Sequence, residues 1–330
     1  MKAVVLSGFG PVGRAFVEHL EATGDELELH HGVRLRVAAV RASTHEVVIA
    51  DGAQLPSRER WMPLRPFSET LAASGAEVFV QAIPSSPSLR EIAAEEALTA
   101  LRSGLHVVTA TKSHLLTHWQ ELSDIARANG RLIRISGATG AALTAGDIAR
   151  VGMRGLGCTG IRACPNGTAT FVLDRLGDGA SLDDAVREAQ RLGIAEADPS
   201  ADLAGIDSAT KARLLAALLW GWDPASVTVR TEPITTATAR AAQDARARGN
   251  CLRAVATVRL DGAREIRVRL EETEPGDPLH ALVGPEKAVV FQSPDAGDVI
   301  VSGGRSSPLG AALSMVKDVL DVTAPRVGFG

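Results

Sequence analysis

Short apolar segments alternate with longer segments of helical periodicity along the first 136 residues. Residues 2–7 form an apolar run rich in valine, and Val12, Phe16, Val17 and Leu20 then recur on one face of a helix. The pattern repeats further on, with strands predicted at 34–40, 77–82, 106–109 and 131–135, and helices at 88–103 and 116–129. Such alternation predicts an α/β fold in which a parallel sheet carries helices on both faces.

The turn between the first predicted strand and helix is rich in glycine, since residues 8–13 read GFGPVG. The first glycine suits a tight turn, the second lets a pyrophosphate approach the backbone, and the third lets the helix pack closely on the strand. The phosphate then lies at the positive N-terminus of the helix. We predict a Rossmann-type dinucleotide site with contacts from Gly8, Gly10, Pro11, Val12 and Gly13. A glycine-rich turn without a ligand is the alternative.

The end of the second predicted strand bears on the choice of cofactor. Folds that prefer NAD commonly place an acidic residue there, which accepts a hydrogen bond from the ribose 2′-hydroxyl. This chain reads Arg41-Ala42-Ser43-Thr44 instead, and a cation with two hydroxyls suits a 2′-phosphate. We therefore predict NADP, with NAD as the alternative cofactor, and contacts from Arg41 and Ser43. An Arg41 that is merely solvated beyond the strand end is the competing interpretation.

Ligands of such sheets bind at the carboxyl ends of the strands. Two further segments reach that edge, residues 83–86 after one predicted strand and residues 109–112 after the next. A lysine directly after a buried strand faces either solvent or a cleft. We predict that Lys112 faces a functional cleft, and that Ser85, Thr109 and Lys112 contact the cofactor.

Two segments of the second half carry candidate chemistry. Asn166, Gly167 and Thr168 form a polar turn before an apolar run, a pattern that an ordinary helix or strand cap also explains. Asp207 and Lys211 lie at positions i and i+4 of a later amphipathic helix, so they share a face. Three more carboxylates closely precede that helix: Glu196, Asp198 and Asp202. Carboxylates around one lysine suit recognition of a charged amino acid, whereas a surface ion pair is the plainer interpretation.

Composition narrows the class of protein. The 330 residues suit two domains, and 45% apolar and 22% charged residues are ordinary for a globular chain. A net charge of −4 without a basic run disfavours nucleic acid as a partner. No leader, no long apolar run and only three cysteines without paired spacing predict a cytoplasmic protein without a membrane partner. The absence of tyrosine excludes a catalytic Tyr–Lys scheme.

The order of these motifs resembles homoserine dehydrogenase. The glycine loop is followed by T-A-x-K at 109–112, N-G-T-x-x-F-x-L at 166–173, E-A-Q-x-x-G-x-A-E-x-D-P at 188–199 and D-x-x-G-x-D-x-x-x-K at 202–211. The resemblance spans nearly the whole chain and is closest to the short form of the family, which lacks a regulatory ACT domain.

The resemblance implies an NAD(P)-dependent dehydrogenase of amino-acid biosynthesis, on the way to threonine and methionine. The reaction would be reversible reduction of aspartate 4-semialdehyde to L-homoserine, a small amino-acid substrate. Lys211 matches the acid/base lysine, Asp207 the carboxylate beside it, and Lys112 a lysine where cofactor and substrate meet. The matching substrate contacts are Gly167, Thr168, Glu196 and Asp202, and we add Gly193 and Gly304 to the predicted cofactor contacts.

The implied fold is a nucleotide-binding domain plus an α/β substrate domain. We expect the first domain at 1–136, joined by a C-terminal helix at about 307–330, and the substrate and dimerisation domain at 137–306. Homodimerisation would occur through the sheet of the substrate domain.

The chain departs from the family pattern in three places. Thr111 replaces the usual Asn before Lys112, and Gly137 replaces a Glu that helps bind a monovalent cation in relatives, so we predict no metal. The loop 302–310 replaces a more glycine-rich loop, and its Arg305 either contacts the cofactor or is solvated.

These departures leave other functions open. A related enzyme acting on a different amino or hydroxy aldehyde is the first alternative, and a non-catalytic NADP-binding sensor is the second. A zinc enzyme is the weakest, since His114 and His118 have helical spacing but no third ligand follows them.

Overall fold

The computed structural model describes residues 1–304 and 306–324. Arg305 and the last six residues of the predicted C-terminal helix lie outside the described residues. The chain forms two compact units, of which the first comprises Met1–Ala141 and the described residues from Pro308 onward, and the second comprises Ala142–Ser307. Among the described residues, no helix combines the length and the apolar character that crossing a bilayer requires.

The first unit is built on a seven-stranded sheet. Its strands are β1 (Lys2–Ser7), β2 (Leu35–Arg41), β3 (His45–Val48), β4 (Met62–Pro63), β5 (Val78–Gln81), β6 (His106–Thr109) and β7 (Ile133–Arg134). Their order is β4-β3-β2-β1-β5-β6-β7. The neighbours β2, β1, β5, β6 and β7 pair in parallel, while β3 and β4 add an antiparallel edge beside β2.

Helices pack on this sheet, and its central strands are therefore buried on both faces. The helices of the unit are α1 (Pro11–His31), α2 (Phe67–Ser74), α3 (Arg90–Arg102), α4 (Trp119–Ala128), α5 (Ser136–Thr139) and, after the second unit, α12 (Pro308–Thr323). Val4 and Leu6 pack in one cluster with Phe16 of α1 and Met315 of α12. The α3 helix packs against β5 and β6. The predicted α/β class with a Rossmann-type parallel sheet is confirmed.

The predicted helix 116–129 begins later than expected. His114–Leu116 forms a 3-10 turn, and α4 starts only at Trp119. The strand predicted at 131–135 is likewise reduced to Ile133–Arg134, since only these two residues extend the pairing beside β6.

The second unit contains a six-stranded sheet. Its strands are β8 (Gly160–Cys164), β9 (Thr228–Thr231), β10 (Cys251–Arg259), β11 (Glu265–Thr273), β12 (Lys287–Gln292) and β13 (Val299–Gly303), in the order β13-β12-β8-β10-β11-β9. All neighbours are antiparallel except β11 and β9.

Helices cover one face of this sheet. They are α6 (Ala145–Asp147), α7 (Gly167–Gly177), α8 (Leu182–Arg191), α9 (Ser200–Leu203), α10 (Ile206–Trp220) and α11 (Thr238–Ala247), and a π-helical turn at Ile148–Gly152 follows α6. Ile161 and Val289 of the sheet join Leu173, Leu215 and Ala242 of the helices in one core. This core fixes α7 and α10, the two helices that carry the candidate chemistry.

Candidate active site

The glycine loop is held against the end of β5. Gly8 has φ +98°, and a Cβ there would lie 2.4 Å from the carbonyl carbon of Ala82. A Cβ on Gly13 would lie 1.9 Å from the carbonyl oxygen of Gly8. Both positions therefore require glycine, for a tight turn and for close packing of α1 on the loop.

The N-terminus of α1 is open toward this loop. Its cap is Gly10, which supplies no side-chain hydrogen bond, and Pro11 is the first helical residue. A Cβ on Gly10 would meet no atom within 4 Å. Helix geometry leaves the amides of Val12 and Gly13 without an intrahelical acceptor, so they can donate to an anion. The residues present fit a bound pyrophosphate.

Arg41 does not have the solvent-facing position that the sequence suggested. Its guanidinium is buried, donates to the carboxylate of Glu46 and to Thr70 Oγ1 (2.7 Å), and lies 5.0 Å from the centre of the Phe67 ring. The hairpin from β2 to β3 brings Glu46 opposite Arg41 in the strand register. A guanidinium so engaged is not available to a 2′-phosphate, and the prediction of Arg41 as a phosphate contact needs this correction. Ser43 lies exposed in the hairpin turn.

A different arginine lies against the glycine loop. The guanidinium of Arg58 lies 4.9 Å from the centre of the Phe9 ring and 4.2 Å from that of Trp61. The side chain is otherwise exposed. Sequence reasoning missed Arg58, because it lies 45 residues after the loop's last glycine and no motif connects them. The only signal available was the aromatic residue inside the glycine loop, which favours a cation partner.

The loops after β5 and β6 are joined to each other. The Lys112 amide donates to Ser85 Oγ (2.8 Å), and Thr111 Oγ1 donates to the Ile83 carbonyl (2.7 Å). Ser85 and Lys112 are thus brought together, as their places at neighbouring strand ends predict. Thr109 is fully buried, and its hydroxyl donates to Gln81 Oε1 (3.1 Å), so this side chain is not directed to a ligand.

Asn166 organises the carboxylates of the second unit. It is the N-cap of α7, where its Oδ1 accepts from the Ala169 amide (2.8 Å). Its Nδ2 donates to Asp202 Oδ1 (2.5 Å) and to Asp207 Oδ2 (2.8 Å). One amide side chain therefore caps the start of a helix and holds two carboxylates together. The sequence pattern contained Asn166, but its role as the link between these segments was missed.

Lys211 is anchored on both sides. Its Nζ lies 2.6 Å from Asp207 Oδ2 and donates to the Pro165 carbonyl (2.9 Å). Both side chains are more than four-fifths buried, with exposed fractions of 14% and 11%. The surface-pair interpretation does not fit this burial. A lysine that is held by a carboxylate, in a partly desolvated place, is suited to give and take a proton.

The turn after Asn166 packs against two other loops. A Cβ on Gly167 would lie 2.4 Å from the Pro285 carbonyl oxygen, so this position requires glycine. Thr168 Oγ1 donates to the Ile194 carbonyl (3.1 Å), next to Gly193, which has φ +70° just beyond the end of α8. Glu196 follows in the same loop and is exposed.

The positions that depart from the family pattern are tightly packed. A Cβ on Gly137 would lie 2.9 Å from the Ala110 Cβ, so a larger side chain such as Glu requires the backbone to shift. Gly304 has φ +66°, and a Cβ there would lie 2.6 Å from the Leu143 amide nitrogen. Thr111 uses its hydroxyl within the first unit, as described above.

His114 is enclosed within the first unit. Neither ring nitrogen has a hydrogen-bond partner among the described residues. Burial lowers the pKa of His114 to about 3, and the charge of His118 adds to this shift. Across residues 1–304 and 306–324, no group of three or more His, Cys, Asp and Glu side chains is placed to hold a metal ion.

Comparison with known proteins places both units in one family. The family model described as homoserine dehydrogenase matches residues 147–320, and the model of the NAD-binding domain of homoserine dehydrogenase matches residues 8–136. The homoserine dehydrogenase of Methanocaldococcus jannaschii is 25% identical over 97% of this chain and 98% of its own length. The NAD(+)-dependent homoserine dehydrogenase of Pseudomonas canavaninivorans is 28% identical over 97% and 95%.

A solved structure agrees with this result. A hyperthermophilic archaeal homoserine dehydrogenase in complex with NADPH superimposes with a TM-score of 0.80 at 25% identity, covering 98% of each chain. These similarities extend over both units of the chain.

Proposed function

We propose that this chain, which belongs to the homoserine dehydrogenase family of NAD(P)-dependent oxidoreductases, interconverts aspartate 4-semialdehyde and L-homoserine with NADP as the preferred cofactor. The observation that carries the proposal is the hydrogen-bonded cluster of Lys211, Asp207, Asn166 and Asp202. This cluster joins a proton donor to carboxylates that suit an amino-acid substrate.

We assign cofactor binding to the first unit. Gly10, Val12 and Gly13 would hold the pyrophosphate through backbone amides, and Ser85 and Lys112 lie at the adjoining strand ends. Residues 1–136 with the C-terminal helix form the proposed cofactor domain, and residues 137–306 form the proposed substrate and dimerisation domain of a homodimer. When bound, a nicotinamide cofactor supplies or accepts the hydride.

Lys211 is the proposed acid/base group. Reduction of an aldehyde leaves negative charge on its oxygen, and an ammonium within hydrogen-bond reach stabilises that charge and donates the proton. Asp207 and the Pro165 carbonyl fix the direction of the amine. In the oxidation of homoserine the neutral amine takes the hydroxyl proton back.

Carboxylates near this pair are the proposed contacts of the substrate ammonium. Asp202 is held in place by Asn166, whereas Glu196 is exposed in the loop after α8. Gly167 and Thr168 form the adjoining turn, where the glycine lets the backbone approach closely.

The preference for NADP rests on charge around the glycine loop. The last residue of β2 is Arg41 rather than an acidic residue, and Arg41 is paired with Glu46. The exposed Ser43 and the cation Arg58 beside Phe9 are the proposed contacts of the 2′-phosphate. The relatives themselves differ, since one is named NAD(+)-dependent and another is described in complex with NADPH.

The test of this function is oxidation of NADPH by the purified protein with aspartate 4-semialdehyde, beside a panel of other amino and hydroxy aldehydes. We expect the highest kcat/KM with aspartate 4-semialdehyde and reversal with L-homoserine and NADP. A higher value for another aldehyde would move the assignment to a related substrate. Cofactor binding without turnover of any aldehyde would favour the non-catalytic sensor.

Replacement of the proton donor gives a sharper test. Lys211→Met should lower kcat by ~10²–10⁴-fold, the usual contribution of a general acid, and should leave the Kd for NADPH nearly unchanged. The matched control is Arg187→Met, which removes the cation of an exposed ion pair to Asp184 on α8. We expect the control to keep its kcat. Equal turnover of both variants would remove Lys211 from the mechanism.

A further inference from the structure

The residue at the N-cap of α7 does more than cap a helix. Asn166 is 4% exposed, and its Oδ1 accepts from the Ala169 amide (2.8 Å). Serine and aspartate cap helices about as well as asparagine, so capping alone does not explain this side chain. What distinguishes asparagine is its amide nitrogen, which can donate two hydrogen bonds.

The cap fixes the direction of this nitrogen. Because Oδ1 faces the backbone amide of Ala169, the side chain cannot turn round to present Nδ2 there. Nδ2 instead donates to Asp202 Oδ1 (2.5 Å) and to Asp207 Oδ2 (2.8 Å). The two carboxylates therefore match the two N–H groups of the amide.

These carboxylates come from two consecutive helices. Asp202 lies on α9 and Asp207 in the first turn of α10, and Gly205 makes the turn between them with φ +73°. A Cβ on Gly205 would lie 3.1 Å from Val268 Cγ1 on β11, so the turn is packed against the sheet. The turn therefore directs both carboxylates to the cap of α7.

One of these carboxylate oxygens also holds the proposed proton donor. Asp207 Oδ2, which accepts from Asn166, lies 2.6 Å from Lys211 Nζ. Together with the bond from Asn166 to Asp202, these contacts form an unbroken series of three hydrogen bonds. In the proposed function, one end of the series donates a proton to the substrate oxygen and the other end binds the substrate ammonium.

We propose that Asn166 is a positioning residue that sets the distance between the ammonium site and the proton donor, and that it thereby selects hydroxy amino acids by the number of carbons between the amine and the reacting oxygen. The inference rests on the proposed function, which gives Asp202 and Lys211 their roles. Asn166 acts through the two carboxylates and does not need to touch the substrate.

The physical reason is that both ends of the series are held by one short segment. The Lys211 amine also donates to the carbonyl of Pro165 (2.9 Å), the residue directly before Asn166. A mobile carboxylate would follow the ammonium of a shorter or longer substrate. A fixed carboxylate aligns only a substrate of matching length with the proton donor.

The test compares the oxidation of L-serine, L-homoserine and L-5-hydroxynorvaline with NADP, since each differs from the next by one methylene. One methylene commonly changes kcat/KM by roughly 10–200-fold, and we expect the unchanged protein to prefer homoserine within that range. Asn166→Ser keeps a capping oxygen but removes the amide nitrogen that reaches the carboxylates. It should lower both preferences for homoserine by about tenfold, as expected when hydrogen bonds to charged groups are lost.

A second variant keeps the shape of the side chain. Asn166→Asp retains the cap and the size of the residue, but an acceptor replaces the donor that faces the two carboxylates. Both preferences should fall in this variant as well, and it covers the case in which Asn166→Ser does not fold. Circular dichroism and urea unfolding establish that each variant is folded before its kinetics are compared.

The matched control is a cap on another helix of the same unit. Ser181 is the N-cap of α8, where its Oγ accepts from the Asp184 amide (3.2 Å). Ser181→Ala removes this cap and should keep both preferences of the unchanged protein. Loss of preference in the control would overturn the inference, because any lost helix cap would then suffice.

The remaining outcomes separate this inference from the proposed function. If the unchanged protein oxidises none of the three substrates, the proposed function fails and the inference falls with it. If it oxidises homoserine, but the folded Asn166 variants lower kcat/KM for all three substrates by the same factor, Asn166 has only a structural role and the inference alone is overturned. Equal kcat/KM for all three substrates in the unchanged protein would also overturn it.

Discussion

At the scale of single residues, two arginines differ in what their surroundings allow. Arg41 ends β2, where a cofactor contact is expected, but Glu46 and Thr70 take up its guanidinium. Arg58 lies in no motif, yet Phe9 and Trp61 hold it beside the glycine loop with its charged group exposed. A buried, paired cation is taken up by its partners, whereas an exposed cation on a rigid support remains available to an anion.

If Arg58 binds the 2′-phosphate, its replacement should reduce the preference for NADPH over NADH. Arg58→Ala should lower kcat/KM with NADPH by roughly tenfold, because one charge-assisted hydrogen bond to the 2′-phosphate is lost, and should leave kcat/KM with NADH nearly unchanged. The control is Arg60→Ala, because Arg60 is the last residue of the exposed 3-10 turn Arg58–Arg60; this variant should keep both values. Equal losses with both cofactors would show that Arg58 supports the loop rather than the phosphate.

Burial of His114 predicts acid sensitivity. Its pKa in the folded protein is about 3, below the unfolded value of about 6.5, so the unfolded chain binds one more proton between these values. The free energy of unfolding therefore falls as the pH falls through this window. Between pH 7 and pH 4.5, this effect should lower the free energy of unfolding of the unchanged protein by about 2–3 kcal/mol. The His114→Leu variant should not show this decrease.

Urea unfolding at the two pH values measures this effect. The control is His30→Leu in the exposed last turn of α1, which should keep the acid sensitivity of the unchanged protein. If the His114→Leu variant lost as much stability as the unchanged protein between pH 7 and pH 4.5, another group would be responsible.

At the scale of elements, the glycine loop and α1 combine two different requirements. Gly13 has no room for a Cβ, because the Gly8 carbonyl oxygen is 1.9 Å away, whereas Gly10 has open space. The first requirement belongs to the packing of the helix on the loop, and the second, in the proposed function, to a pyrophosphate that approaches the helix N-terminus. The proposal thus gives the motif one position for stability and another for binding.

Alanine at each position separates the two requirements. Gly13→Ala should lower the free energy of unfolding by about 1–3 kcal/mol, as expected of an overpacked contact. Gly10→Ala should change it by less than about 0.5 kcal/mol but raise the Kd for NADPH, since the methyl group occupies the space proposed for the pyrophosphate. Urea unfolding and fluorescence titration with NADPH measure both. Unchanged NADPH binding in Gly10→Ala would place the pyrophosphate elsewhere.

At the scale of the whole molecule, the first unit is completed by the end of the chain. The helix α12 follows the entire second unit in sequence and packs on α1 and α5. Its Asp318 is fully buried and accepts hydrogen bonds from the Ser136 amide (2.9 Å), Ser136 Oγ (2.8 Å) and Lys317 Nζ (2.7 Å). The first unit therefore cannot reach its final stability until the second unit has been synthesised, because α12 follows the second unit in the chain.

Replacement of Asp318 should destabilise the first unit selectively. Asp318→Ala leaves the buried Ser136 amide without its acceptor and should cost about 2–4 kcal/mol in the first unit. Hydrogen exchange should become faster in β1, β5 and β6 and stay unchanged in β8 and β10. Asp321→Ala, which breaks an ion pair to Arg134 less than one turn further along the same helix, is the control and should cost less than about 1 kcal/mol.

Hydrogen exchange that is not confined to the first unit would contradict this role of Asp318. Equal acceleration of exchange in the strands of both units would mean that α12 supports the whole molecule rather than the first unit alone.

Sequence alone determined the features that depend on local pattern. The strand Lys2–Ser7 and the alternation of strands and helices were predicted because apolar periodicity reports which faces are buried. The fold class, the family and the dehydrogenase class followed from the glycine loop and the ordered motifs, and the structure and the comparisons confirm them. The roles of individual site residues stay predictions.

Tertiary structure alone decided what each charged side chain meets. A hairpin turned Arg41 inward onto Glu46, and a helix cap brought Asp202 and Asp207 to one amide. These contacts join residues that lie far apart in sequence or on different elements, so no local pattern records them. The availability of a charge depends on burial and on its partners, which only the folded chain brings together.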